Sequence, residues 1–287
     1  MTFYNINGQE IHVHEEGKPQ KQLVLLVHGW SSSWYAMSPL IPQFTRRYHC
    51  IAVDLPGYGQ SPPLPNRVTI ETYADLMAEL IRRVSPQQQA VLVGHSMGGM
   101  ISLTLAMRHP ELVERMILLS PTISGKLSMF INVYTRPVTM LESVPLLDKI
   151  SGLLEPYVEG ITDKIMRPAS FAEHSNVSIK EYERLREDAR RPGQGRIRAQ
   201  CFSAMREGDL RGRLNGIRKI PSLAIWGMED NTVPLRDASA LVDEWPDIEL
   251  RILPRVSHWP QFEAPELTRR HIKAFLGTPM NLIQAIF

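Results

Sequence analysis

The chain has 287 residues, 32 basic and 30 acidic side chains and a formal net charge of +2. That length suggests one large or two small domains with ample material for a core, and the near balance of charge gives no field to recommend nucleic acid or an acidic membrane. No apolar run approaches the ~20 residues of a membrane span, and Met1 to Asn5 shows no basic region before an apolar core, so the expectation is a soluble cytoplasmic protein.

In chain order, residues 2 to 15 alternate apolar and polar around Asn7-Gly8, which predicts a hairpin. Leu23 to Val27 and Cys50 to Val53 are continuous apolar runs, as expected of strands covered on both faces. Thr72 to Val84 has helical periodicity, with Tyr73, Leu76, Leu80 and Val84 on one side. Val91 to Val93 and Met116 to Leu119 read as strands separated by a helix over Met100 to His109. Leu223 to Trp226 and Leu250 to Leu253 read as strands, and Leu235 to Trp245 and Pro265 to Leu276 as helices. Cys50 and Cys201 lie far apart and read as buried thiols. Strands alternating with helices predict an α/β fold with a parallel sheet covered on both faces.

The alternation breaks between about Pro121 and Ile217. Met129 to Leu141, Leu146 to Tyr157, Ile179 to Arg191 and Arg196 to Arg206 have helical patterns, with a break at Pro192-Gly193-Gln194-Gly195. The expectation is a helical lid over residues 122–217, inserted in a core of 1–121 and 218–287. Lys180 to Arg191 pairs Arg184 with Asp188 and Glu187 with Arg191 at helical spacing and reads as a solvated helix face. The tail from Gly277 to Phe287 is apolar for a terminus.

Gly94-His95-Ser96-Met97-Gly98 lies between a strand and a helix. A serine at such a turn has its hydroxyl exposed above the sheet. It becomes a nucleophile only when a base takes its proton, and the base needs a carboxylate to set its tautomer. His258 follows a strand, where open α/β sheets place working residues. His95 adjoins the serine on a tight turn, from which neighbouring side chains point apart. His49 and His109 read as structural. His12 and His14 lack a third ligand, so no metal is expected there. Asp230 also follows a strand and is the candidate acid; Glu229 is its competitor, and a purely turn-forming role is the plain alternative. The backbone N–H groups of Met97 and of Trp30, in His28-Gly29-Trp30 after a strand, are candidate oxyanion donors. Trp30 is otherwise a core or pocket aromatic after a tight strand exit.

Four motifs in order resemble the α/β-hydrolase superfamily over nearly the whole chain: His28-Gly29-Trp30, Asp54-Leu55-Pro56-Gly57-Tyr58-Gly59-Gln60-Ser61, Gly94 to Gly99, and Asp230 with His258. The resemblance implies an eight-stranded, mostly parallel sheet flanked by helices, with a helical lid after the sixth strand. Asp54 to Ser61 is a structural loop in such proteins. Relatives that open epoxides or remove halide use an aspartate where Ser96 stands. Carbon–carbon bond hydrolases tend to have a longer glycine-rich oxyanion loop and an asparagine in place of His95.

The expected activity is that of a serine carboxylesterase on a small or medium apolar ester. Ser96 would be nucleophile, His258 base and Asp230 orienting acid, with no metal or cofactor. The remaining alternatives are a carbon–carbon bond hydrolase, a cofactor-free perhydrolase, an acyltransferase, and a non-catalytic ligand receptor on the same fold. Trp34, Trp259, Phe130 and Tyr134 are pocket candidates; Met129, Met140, Phe202 and Met205 either line that pocket or pack the lid onto the core. The partner expected is a small-molecule ester, and the chain a monomer or homodimer.

Overall fold

In the computed structural model, the residues described are 2–129, 131–133, 167–168, 170–188, 191 and 194–277. Eight strands form one sheet: β1 (Thr2–Ile6), β2 (Gln9–Glu16), β3 (Leu23–Val27), β4 (His49–Val53), β5 (Ala90–His95), β6 (Val113–Leu119), β7 (Ser222–Gly227) and β8 (Glu249–Leu253). Their order is β1-β2-β4-β3-β5-β6-β7-β8. β2 runs antiparallel to β1 and β4, and every other pairing is parallel. The hairpin, the eight strands and the mostly parallel sheet are those the sequence predicts.

Alternation along β3 shows why the apolar runs are continuous. Leu23, Leu25 and Val27 join the core on one face, Val24 and Leu26 that on the other. The first face is covered by α1 (Ile70–Val84), α2 (Met97–Arg108) and α5 (Leu235–Glu244). The second is covered by a short helical segment, Trp34–Leu40 and Ile41–Phe44, and by α6 (Pro265–Gly277). α1 begins at a capping box in which Thr69 Oγ1 accepts the Thr72 N–H and Thr72 Oγ1 accepts the Thr69 N–H. Its Tyr73, Met77, Leu80 and Ile81 are fully buried, each contributing about 1.5–3 kcal/mol by leaving water.

Between β6 and β7, the described residues contain two longer helices, α3 (Ile179–Glu187) and α4 (Gly195–Glu207), and no strand. α4 belongs to the first core through Ile197, Cys201, Phe202 and Met205. Both cysteines are free and buried. The helical patterns at Leu146 to Tyr157 and beyond Val133, including Met140, lie outside the described residues, as does the tail after Gly277.

The charge run at α3 is not simply a solvated face. Arg184 does reach Asp188 (3.4 Å), but it also pairs with Glu187 (3.2 Å) and lies over the Tyr35 ring, while Arg191 pairs with Asp188 and not Glu187. Asp188 is buried, and Arg186 donates to the Ser31 carbonyl (2.9 Å). Helical spacing alone hid this, because it ranks partners within the helix and not across it.

Candidate active site

β5 ends at His95 and α2 begins at Met97, so Ser96 is the single residue joining them. Its φ of 54° and ψ of −116° lie in a region that costs a non-glycine residue of order 1–3 kcal/mol. The strain is held by the surrounding bonds. The Ser96 N–H donates to the Leu119 carbonyl (2.9 Å), and its carbonyl accepts from Gly99, Met100 and Thr122 (3.0, 3.2 and 3.2 Å). The turn also requires close approach: a Cβ on Gly98 would stand 2.1 Å from the Val27 carbonyl oxygen, and one on Gly94 2.5 Å from that of Gly98. Met97 is the first helical residue, so its N–H has no acceptor within the helix and joins the positive end of the α2 dipole.

β5, β6, β7 and β8 are consecutive parallel neighbours, so their ends deliver residues to one edge. Asp230 follows β7 and His258 follows β8. His258 Nδ1 donates to Asp230 Oδ2 at 2.9 Å, between side chains that are almost wholly buried. Asp230 Oδ1 accepts the N–H groups of Thr232 (2.9 Å) and Val233 (2.8 Å). The carboxylate is thereby fixed, the imidazole proton sits on Nδ1, and Nε2 keeps its lone pair. Glu229 makes no such contact; its N–H is spent on the Val256 carbonyl.

Two further histidines organise this edge. His95 is buried; its Nε2 donates to the His258 carbonyl (2.9 Å), and its ring packs on Trp259 with centroids 4.3 Å apart. Burial holds its pKa well below the usual imidazole value, and a charged His258 nearby would push the same way. Its ring also lies 4.8 Å from that of His258, so it ties the serine turn to the histidine loop. His28 Nε2 accepts the Leu55 N–H (3.0 Å) and its Nδ1 donates to the Gly29 carbonyl (2.7 Å). Burial lowers the His28 pKa despite the Asp54 charge nearby. A neutral imidazole thus bridges the loop carrying Trp30 to the exit of β4.

A model of the α/β-hydrolase fold matches residues 22–265 of this chain. The chain belongs to the α/β-hydrolase family. An uncharacterised hydrolase of Bacillus subtilis, YugF, is 32% identical, over 95% of this chain and 96% of its own length. A 2-hydroxy-6-oxononadienedioate/2-hydroxy-6-oxononatrienedioate hydrolase of Paraburkholderia phymatum is 29% identical over 94% of this chain and 92% of its own. Among solved structures, a thermophilic esterase from Thermogutta terrifontis superposes with a TM-score of 0.77 at 22% identity, covering 93% of each chain. The coarse class of this α/β-hydrolase is accordingly a hydrolase.

Of the aromatic pocket candidates, Trp259 lies at the site. It contacts His95, His258, Phe262 and Phe171, the last stacked with rings 5° from parallel. Trp34 does not join it. Its indole stacks on His14 of β2 (centroids 4.1 Å, 3°), and its backbone N–H donates to Oδ1 of Asp54, which follows β4; β2 lies three places from β5 in the sheet. The segment that Trp34 begins still meets the turn after His258, through Tyr35 on Phe262 and Gln261 on the Ala36 carbonyl. Trp30 packs on Phe202 and donates its indole N–H to the Arg198 carbonyl (2.8 Å). Met205 is fully buried in the core, whereas Met129 is exposed. Phe130 and Tyr134 lie outside the described residues.

Asp54 is structural, as the resemblance implied. Burial raises its carboxyl, but the hydrogen bond from His12, the neighbourhood of His28 and the N–H groups of Trp34 and Gln60 outweigh this and hold its pKa low. His12 therefore serves Asp54 (2.7 Å). Among the described residues, no group of three His, Cys, Asp or Glu is placed to hold a metal, and no helix is long and apolar enough to cross a membrane.

Proposed function

We propose that this α/β-hydrolase is a serine carboxylesterase acting on small to medium apolar esters. The observation that carries the reading is a strained serine at the end of β5 on the same sheet edge as a buried His258–Asp230 pair. Ser96 Oγ attacks the ester carbonyl as His258 Nε2 takes its proton. Asp230 holds the imidazole in the tautomer that can accept and stabilises the cation formed. The N–H groups of Trp30 and Met97 receive the negative charge on the carbonyl oxygen. His258 returns the proton to the departing alcohol, and water activated by the same base frees the acyl-enzyme. In this reading, residues 122–217 form a helical lid, and Trp259 with Phe171 forms an apolar wall for the substrate.

The test is turnover of short p-nitrophenyl esters together with fluorophosphonate labelling. Wild type should turn over and label, and Ser96→Ala should lose both. A wild type without turnover, or an alanine variant that keeps most of it, sinks the proposal. The relative from Paraburkholderia phymatum favours a second reading, with the same three residues acting on a 2-hydroxy-6-oxo dienoate. That reading requires such substrates to be turned over faster than the esters.

A further inference from the structure

Glu263 lies one turn after His258, in the short helical turn Pro260–Glu263. Its carboxylate is spent on three backbone donors. Oε1 accepts the N–H of Ser257 (3.1 Å) and of Trp259 (3.0 Å), the residues on either side of His258. Oε2 accepts the N–H of Ala172 (2.8 Å), which belongs to the segment between β6 and β7. The N–H of His258 itself donates to the Ser170 carbonyl (3.1 Å), and the Ser170 hydroxyl meets that of Thr232 (3.2 Å), two residues beyond Asp230. Phe171, between these contacts, stacks on Trp259. Residues 170–172 are thus stitched to both loops that carry the His258–Asp230 pair.

We propose that Glu263 is a positioning residue that clasps the His258 loop to the 170–172 strap, so that the strap's seating and the alignment of the base are one unit. The proposal rests on the serine-hydrolase reading for its catalytic consequence, not for the clasp. A carboxylate suits this place because its two oxygens offer enough lone pairs for three N–H groups. Burial leaves the Glu263 carboxyl above its usual pKa, opposed by the N–H donors of Ala172, Trp259 and Ser257.

Two substitutions separate the halves of the clasp. Glu263→Ala removes all three acceptors. Glu263→Gln keeps one oxygen, and the favoured amide orientation gives it to Ser257 and Trp259, because the reverse would set an NH2 against two donors instead of one. The readout that needs no catalysis is hydrogen exchange, followed by mass spectrometry, of peptides covering the strap and the His258 loop in the full chain. In Glu263→Ala, both peptides should exchange about tenfold faster or more; in Glu263→Gln, the strap alone should. For p-nitrophenyl esters, Glu263→Ala should lower kcat about tenfold while KM stays within about twofold, with Glu263→Gln in between. Loosening of the loop without the strap in Glu263→Ala, or an unchanged kcat, overturns the proposal. If the alanine variant fails to fold, Glu263→Gln decides: a strap as protected as in wild type overturns it. A wild type inactive on esters defeats the serine reading and leaves the exchange result to judge the clasp.

Discussion

Replacing Gly29 with alanine would place a Cβ 3.0 Å from Ser96 Cβ, 3.1 Å from His95 Nδ1 and 3.3 Å from the His95 carbonyl oxygen. Ordinary contact begins near 3.4 Å, so one side must retreat by roughly 0.3–0.4 Å, within the overpacking regime of about 1–3 kcal/mol. The serine turn cannot easily yield, since the Ser96 peptide is tied to Leu119, Gly99, Met100 and Thr122. The 28–30 loop has fewer ties to its surroundings, through His28 to Leu55 and through the Trp30 indole to Arg198, so it is the side that moves, and it takes the proposed Trp30 donor with it. Removing such a donor outright costs ~10²–10³ in rate, which bounds the effect from above. Gly29→Ala should therefore fold with a melting temperature several degrees lower and show kcat reduced about 10–100-fold, with KM nearly unchanged. Steady-state kinetics on p-nitrophenyl butyrate and a thermal melt measure both. A variant with kcat within twofold of wild type and an unaltered melt would refute the reading that this loop is wedged against the Ser96 turn.

Asp230→Asn should lower kcat on the order of 10⁴-fold, the loss expected when the base is held in the wrong tautomer, while Glu229→Gln stays near wild type; equal losses would show that the acid is misassigned. Asp237, fully buried in α5, accepts the N–H groups of Ile123 and Ser124 and the Ser124 hydroxyl. Asp237→Ala should cost about 1–3 kcal/mol or more for the donors left unpaired, read from denaturant unfolding, and a loss below 0.5 kcal/mol would contradict that. Acid stability follows from His95 and His28, whose folded pKa values lie below the ordinary 6.5. The unfolded chain binds more protons than the folded one below that pH, so stability is full above about 6.5 and declines as pH falls beneath it. His95→Gln, which keeps a donor for the His258 carbonyl, should flatten the fall in melting temperature between about pH 6.5 and 5; an unchanged slope assigns the fall elsewhere.

The strands, the α1, α2, α5 and α6 patterns and the candidate triad were legible because each rests on local grammar. Period-two and continuous apolar runs mark strands, 3.6-residue spacing marks helices, and glycines around a serine mark a sharp turn. What was not legible is carried by acceptors whose partners are backbone atoms far away in sequence. Nothing in the letters around Asp237 says that it reaches Ser124, or around Glu263 that it reaches Ala172. A backbone N–H has no residue identity, so its acceptor leaves no second letter to pair with. The neighbours of Trp34 are hidden for a related reason: its indole stacks on His14, on another strand, which no nearby letter announces.

The same logic explains why so many charged or titratable groups sit buried at one edge without all being chemical. Asp54, Asp230, Asp237 and Glu263 each accept at least two N–H groups from loops that follow strands or from the 122–217 segment. Loops at a strand's end have left the sheet ladder, and their donors still need acceptors once buried. A buried carboxylate meets that need and freezes the loop, which is what a site dependent on sub-ångström alignment requires. Of the four, Asp230 alone also takes a proton-sharing imidazole on the same edge as Ser96, since the imidazole bound by Asp54 is His12, across on β2. An Asp54→Asn variant should accordingly lose stability while the surviving folded fraction keeps its kcat, whereas Asp230→Asn should keep its fold and lose kcat. Titrating active sites with a fluorophosphonate before measuring rates separates the two. If Asp54→Asn instead lowers kcat per labelled site as far as Asp230→Asn does, the division between scaffold and catalytic carboxylates drawn from this geometry is wrong.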